Sequence, residues 1–234
     1  MNSKILVSLF LASFAFSGFA QPKETSSVAT NRPAQRETPL APVIDDPALP
    51  RVLLIGDSIS MGYTVPVRNL LKGKANVHRI MENGGPTTNG LAKMRTWLGT
   101  SKWDVIHFNF GLHDLKFVEG GKQQVTPADY EKNMRELVRQ LKETKAKLIW
   151  ANTTPIPGPP LKPERIAEHV LVYNTAAAKV MEENGIMTND LYAFAFAQLS
   201  KIQQPQNVHF TREGSEVLGG QVAATIESVL PPKK

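Results

Sequence analysis

The sequence predicts an α/β fold, a parallel sheet covered by helices on both faces. Short runs rich in Val, Ile, Leu and aromatic residues recur at 51–55, 76–80, 103–110, 147–153 and 185–189. The segments between them carry apolar residues at helical spacing. Strand and helix taking turns along one chain is the pattern of sheets built from βαβ units.

Each element has its own warrant. Val52-Leu53-Leu54-Ile55 is continuously apolar rather than alternating, as expected of a strand buried on both faces. It stops at Gly56, and the polar pair Asp57-Ser58 stands where a helix takes over, with Ile59-Ser60-Met61-Gly62-Tyr63 following. The second run leads into Glu82-Asn83-Gly84-Gly85-Pro86-Thr87, a tight turn whose backbone N–H groups can face an anion. The third leads into Gly111-Leu112-His113-Asp114. Tyr130, Met134, Leu137, Val138 and Leu141 then mark one face of a helix. After the fourth run comes the stiff loop Pro155-Ile156-Pro157-Gly158-Pro159-Pro160, which suits a pocket wall or a plain connector equally. A second helical face runs through Ile166, Val170, Tyr173, Ala177, Val180 and Met181. Finally Asn207-Val208-His209-Phe210-Thr211 precedes a closing helix over 214–230, whose start is marked by Thr211 and Gly214. No internal repeat or second core is visible.

The 234 residues suffice for one ordinary domain. Lys4, the apolar stretch 5–16 and the small residues around Gly18-Phe19-Ala20 read as a signal peptide over 1–20, too short for a comfortable transmembrane helix. Residues 21–50 are rich in Pro, Thr, Ser and charge and are expected to be a flexible leader, which leaves 51–231 as the domain. Export to the periplasm or beyond follows, with no stable membrane insertion. The chain has no cysteine, which excludes a lipoprotein anchor and any disulfide, so an exported domain of this size must rely on its core. The formal charge of +6 becomes +5 once Lys4 is removed. The basic residues are scattered rather than clustered, so a solvated surface is expected and no nucleic-acid partner. A basic balance would also suit an anionic polysaccharide, which charge alone does not establish.

Ligands bind parallel α/β sheets at the carboxyl edge of the strands, and four of these segments end there. A serine hydrolase needs a nucleophile, a base to take its proton and donors aimed at the developing oxyanion. Ser58 supplies the first, and His209, on a loop, the second.

The order of these segments resembles the SGNH hydrolases, also called the GDSL esterase and lipase family. Gly56-Asp57-Ser58-Ile59-Ser60 matches the first family block, with Ile59 where Leu is usual; Asn83 and Gly85 match the second; Gly111-Leu112-His113-Asp114 occupies the third; and His209 occupies the fourth. The resemblance implies a three-layer, flavodoxin-like α/β/α sandwich with a five-stranded parallel sheet. It also implies catalysis by Ser58 and His209, with oxyanion donors from the N–H groups of Ser58 and Gly85, and it requires no cofactor.

Two positions depart from the family pattern. His113 stands where an Asn amide normally completes the oxyanion hole. A ring N–H can replace that amide, or His113 can hydrogen-bond to a neighbour such as Asp114 for structure alone. Gln206 stands where an Asp normally orients the histidine, and Gln206 cannot carry a charge that stabilises imidazolium. A backbone carbonyl, the side-chain carbonyl of Gln206 or Asn207, or the carboxylate of Glu213 are the candidates to replace it.

The remaining polar and aromatic residues are read more simply. Asp57 supports its turn. His107 is a packed strand residue, and His78 and His169 occupy strand or surface positions. Trp97, Trp103 and Trp150 belong to core packing rather than a sugar platform. No metal-ligand spacing appears, so no metal is expected. The sequence is therefore expected to encode an exported serine esterase removing short acyl groups, acetyl above all, from carbohydrate through an acyl-enzyme intermediate, with a small-molecule or polysaccharide ester as its partner. The alternatives are a periplasmic thioesterase or lysophospholipase, and a non-catalytic carbohydrate-binding protein on the same fold.

Overall fold

The structure is a computed structural model that describes Met1 and residues 37–231. The expected signal segment beyond Met1, and the leader as far as residue 36, lie outside the described residues. A five-stranded parallel sheet forms the centre, with strands β1 (Arg51–Ile55), β2 (Asn76–Arg79), β3 (Val105–Phe108), β6 (Lys147–Ala151) and β7 (Met187–Asn189) in the order β2-β1-β3-β6-β7. All five predicted strands are present, each at or inside its expected range.

Helices α1 (Ser58–Leu70) and α7 (Arg212–Glu227) pack together on one side of the sheet, and α2 (Thr87–Leu98), α3 (Pro127–Glu143) and α4 (Ala167–Glu183) pack in sequence on the other. Short helices α5 (Leu191–Phe196) and α6 (Leu199–Ile202) lie against α7. The sheet is buried from both sides: Val52, Leu54, Ile55, Val105, Ile106, Phe108 and Ile149 have no exposed surface. This explains why the strands read as continuous apolar runs. Tyr130, Met134, Leu137 and Leu141 on α3 are likewise sealed, and Tyr173 donates its hydroxyl to the Val125 carbonyl across the α3–α4 seam.

Two features depart from the expectation. A two-stranded hairpin, β4 (Phe117–Val118) with β5 (Lys122–Gln123), follows the third-block loop. Its two-residue strands are too short to show a period in sequence. Residues 37–50 have no helix or strand, as their composition suggests, but they are tied to the domain. The Arg68 guanidinium donates to the carbonyls of Thr38 (3.0 Å) and Ala41 (3.1 Å), and Asn76 exchanges bonds with the backbone of Asp46. These bonds place residues 37–50 in the same compact unit as the sheet.

Candidate active site

Ser58 and His209 are 151 residues apart in the chain, and the packing of α1 on α7 brings them together. The two helices approach closely because their contact positions are small. A Cβ on Gly219 would lie 2.5 Å from Pro66, and one on Gly62 would lie 3.0 Å from Ser215. Ser58 is the first residue of α1. The Asp57 carboxylate caps that helix by accepting from the Ile59 N–H (2.9 Å), so Asp57 supports the turn as its position suggests. The Ser58 N–H, one of the orphan amides of the helix start, has no partner among the described residues.

The loop that carries His209 is fixed from both ends. Gln203 and Phe210 form an isolated antiparallel bridge, and the Gln204 N–H donates to the His209 carbonyl at 3.0 Å. Beyond it, Thr211 caps α7 by accepting from the Gly214 N–H, and its own N–H donates to the Ile202 carbonyl at 2.8 Å. Gly214 is required here, since a Cβ would stand 2.0 Å from the Ile202 oxygen.

Within this frame the imidazole is held at both nitrogens. Nε2 lies 2.9 Å from Ser58 Oγ, and Nδ1 lies 2.8 Å from Asn207 Oδ1, which also accepts from the His209 N–H at 3.0 Å. Asn207 cannot turn its amide over without loss, because Nδ2 donates to Gln204 Oε1 (3.1 Å). Gln204 is set in turn by donating Nε2 to the Phe210 carbonyl (2.9 Å). The chain of donors places the ring proton on Nδ1 and leaves Nε2 as the acceptor facing the serine hydroxyl. Of the candidate orienters, Asn207 makes the contact. Gln206 sits at φ 51 with no hydrogen bond to the ring, and Glu213 is exposed on the first turn of α7, so neither of these two expectations holds. Gln204 was missed in sequence because a glutamine five residues before a histidine carries no signal of its own.

His113 lines the same cleft as Ser58 and His209. It follows Gly111, whose φ of 139° and missing Cβ let Thr153 Oγ1 approach the backbone. Burial lowers the His113 pKa, with Asp57 opposing the shift and Lys116, Arg165 and His209 adding to it, so the ring is held neutral. The structural alternative for His113, a bond to Asp114, is not made. Asp114 instead accepts from Thr87 N (2.9 Å) and Thr87 Oγ1 (2.5 Å) and fastens the second-block turn to the third. It is fully buried with Oδ2 unpartnered, and burial pushes its carboxyl up to about 6.

Gly85 is placed less favourably than expected. Its N–H donates to Asn83 Oδ1 at 3.0 Å in a local Asx turn, and Gly85 is not among the residues lining the cleft. The side chain of Asn83 is exposed, so it must turn away before this amide can serve an oxyanion.

Arg79, at the end of β2, is a functional residue the sequence did not disclose. It is only 4% exposed, and its guanidinium donates to the carbonyls of Gly56 (3.0 Å), Asp57 (3.3 Å), Ile80 (3.2 Å) and Glu82 (2.8 Å) and to Ser60 Oγ (2.5 Å). One side chain thus binds the nucleophile turn to the second-block turn. Burial lowers its pKa to about 10, still well above neutrality. A lone arginine in an apolar strand gives no sign of this in sequence.

The other singled-out residues lie where expected. His107 is sealed in the sheet with Nε2 near Asn189 Nδ2 (3.2 Å), and burial pushes its pKa down to about 3. His78 meets Asp45 at 2.6 Å, and His169 meets Gln123 at 2.9 Å. Trp150 is buried, Trp97 stacks on Phe110, and Trp103 packs under the Arg51 guanidinium. Among the described residues no cluster of three or more His, Cys, Asp or Glu could hold a metal, and no helix is long and apolar enough to cross a membrane.

Ser58 opens on a cleft of about 500 Å³ lined by Leu112, His113, Leu161, Arg165, Val208 and His209, among others. The 160–163 stretch following the proline-rich loop forms part of its wall. A serine hydroxyl facing an imidazole acceptor, beside an unpartnered helix-start N–H and a neutral histidine, can carry out acyl transfer.

Comparisons with known proteins agree with this geometry. The lipase/acylhydrolase from Enterococcus faecalis is similar in structure, with a TM-score of 0.67 at 22% identity, covering 79% of this chain and 99% of that one. The acetylxylan esterase Axe2 from Geobacillus stearothermophilus gives 0.64 at 18%, covering 76% and 94%. The acetyl xylan esterase AlAXEase gives 0.65 at 15%, covering 75% and 99%. At these identities the likeness shows the shared α/β fold. No curated protein matches the sequence. The family model described as the GDSL-like lipase/acylhydrolase family matches residues 54–217, from β1 through the serine turn and His209 into α7. The chain therefore belongs to the GDSL-like lipase/acylhydrolase family, the SGNH hydrolases, and is an ester-hydrolysing enzyme of that family.

Proposed function

We propose that this enzyme removes short acyl groups, acetyl above all, from carbohydrate esters outside the cytoplasm, through an acyl-enzyme on Ser58. The reading is carried by the 2.9 Å contact between Ser58 Oγ and His209 Nε2, with Asn207 holding Nδ1. As Ser58 Oγ attacks the acyl carbonyl, His209 Nε2 takes its proton. The resulting imidazolium is stabilised by the Asn207 carbonyl dipole rather than by a carboxylate. The tetrahedral oxyanion accepts from the Ser58 N–H and a His113 ring N–H, with Gly85 N–H joining once Asn83 releases it. His209 then protonates the departing alcohol oxygen. Water, giving a proton to the same ring, attacks the acyl-enzyme carbonyl, and the ring returns that proton to Ser58 Oγ as the bond to the acyl group breaks and the acid departs.

Leu112, Pro160, Leu161, Pro163 and Val208 give the cleft beside Ser58 an apolar wall against which the methyl of an acyl group can pack. Two structural neighbours are acetylxylan esterases by name, which supports acetylated carbohydrate as the substrate class. Export rests on the N-terminal sequence, and fractionation of the host cell with N-terminal sequencing of the mature chain tests it. Turnover of p-nitrophenyl acetate, butyrate and palmitate and of acetylated oligosaccharides tests the substrate reading. Acetate and acetylated sugars should be preferred, and Ser58→Ala should abolish turnover. Preference for palmitate would favour a lipid or thioester substrate, and equal near-zero turnover by both proteins would favour a binding protein.

A further inference from the structure

Arg165 is only 6% exposed, yet no ion pair among the described residues involves it. Its Nε donates to the Leu112 carbonyl at 3.0 Å and its Nη1 to the Pro163 carbonyl at 3.2 Å, which fixes the guanidinium plane against the third-block loop. Nη2 has no hydrogen-bond partner among the described residues and is not one of the atoms sealed from solvent. The same side chain lines the cleft into which Ser58 and His209 open. Lys162, exposed on the rim, lines it too, and the lining contains no Asp or Glu. The nearest carboxylate influence on Arg165 is Asp57, which is buried and engaged in capping α1.

A guanidinium withdrawn from water without a carboxylate is costly, and its fork matches a planar or trigonal oxyanion better than any neutral group. We propose that the esters this site hydrolyses carry an anionic group, a carboxylate or a sulfate, on their alcohol portion, bound by Arg165 Nη2 with Lys162 on the rim. The inference rests on the esterase reading above and narrows its substrate to acylated anionic saccharides. The net positive charge, +6 for the full chain and +5 without Lys4, draws such a polymer toward the protein at low salt.

Two rival roles for Arg165 make different predictions. If it stabilised the tetrahedral oxyanion, or only propped the Leu112 carbonyl, its loss would affect neutral and anionic esters by the same factor. The test compares kcat/KM for acetylated oligogalacturonides with that for the same oligosaccharides after methyl esterification of their carboxylates. The wild-type ratio should be about tenfold or more and should fall as NaCl is raised. In Arg165→Gln the ratio should collapse toward one, chiefly through KM for the anionic substrate, and in Lys162→Gln it should fall by a smaller factor.

A binding arm separates this idea from the esterase reading. Calorimetry on the Ser58→Ala protein would measure deacetylated oligogalacturonide, a sulfated galactan oligosaccharide and neutral xylo-oligosaccharide. The first two distinguish carboxylate from sulfate, and the third should bind most weakly. Failure to hydrolyse any ester, with anionic saccharides still bound through Arg165, would overturn the catalytic reading alone. A wild-type ratio near one together with no preference in binding would overturn the anionic-substrate inference while leaving the esterase intact. Equal losses on both substrates in Arg165→Gln would overturn it as well.

Discussion

Asn207 Oδ1 accepts from His209 at both the ring Nδ1 (2.8 Å) and the backbone N–H (3.0 Å), so a neutral amide two residues away stands where a carboxylate usually orients the base. The amide keeps the useful tautomer because Gln204 dictates which of its ends faces the ring. What it lacks is charge. Asn207→Ala should lower kcat by about a hundredfold or more with little change in KM, since orientation and tautomer are both lost. Asn207→Asp should move the acid limb of the kcat/KM profile to higher pH, because an adjacent carboxylate favours imidazolium. An unmoved profile in Asn207→Asp would show that residue 207 does not govern the base.

Gln204 acts one bond further out, as a positioning residue. Gln204→Leu frees the Asn207 amide to turn over, so kcat should fall several-fold to about tenfold while stability drops by about 1–2 kcal/mol for the two part-buried side-chain bonds that are lost. Steady-state kinetics alongside thermal denaturation separates the two effects. A loss of stability with unchanged kcat would show that the network is structural.

His113 should behave as a neutral donor. Its ring is held neutral by burial, so His113→Ala should lose about 10² in kcat, the size expected for one oxyanion donor, whereas His113→Asn should retain or exceed wild-type activity. Activity measurements on the two folded variants check this. Equal losses in both would place His113 in some other role.

Much of this site was open to reading from sequence, for reasons the structure makes clear. The strands sit between two helical layers, so burial on both sides writes them as unbroken apolar runs. The turns at 56–58, 83–87 and 111–114 and the loop at 207–211 follow strands or open a helix, which gives each a recognisable boundary. The rest depended on contacts between distant residues. The close packing of Gly62 on Ser215 and of Gly219 on Pro66 lets α1 and α7 approach each other, and neither pair stands out locally. Residues 37–50 look unstructured by composition, yet Arg68 and Asn76 reach out from the domain to bind their backbone. The choice among Gln206, Asn207 and Glu213 depended on loop geometry that spacing does not specify.

Arg79 satisfies five acceptors around the nucleophile turn, and no shorter or apolar side chain can do so. Arg79→Met should destabilise the fold by about 3 kcal/mol through the five lost hydrogen bonds, which leave the Ile80 and Glu82 carbonyls without a donor. Arg79→Lys should recover part of that stability but less of the activity, since an ammonium cannot bridge both turns. Denaturant titration with parallel kinetics tests the pair. Full activity in a stable Arg79→Met protein would remove Arg79 from the account.

Asp114 makes stability depend on pH in a defined direction. Folding raises its carboxyl from 3.8 to about 6, so its protonated form favours the native state. That contribution is fully present below about pH 3.8 and is lost as pH rises through about 6, by roughly 2–3 kcal/mol at most. The stability of wild type relative to Asp114→Asn should therefore decline between pH 4 and pH 7. Urea titrations across that range give the difference directly, and a difference independent of pH would contradict the assignment.

The central claim is that Ser58 is a nucleophile activated by His209. It is tested most directly by reacting the protein with a fluorophosphonate and following the adduct by intact-mass and peptide mass spectrometry. A single adduct on Ser58, formed about a hundredfold more slowly in His209→Ala, is the predicted result. An unmodified protein, an adduct on another residue, or an equal rate in His209→Ala would contradict it.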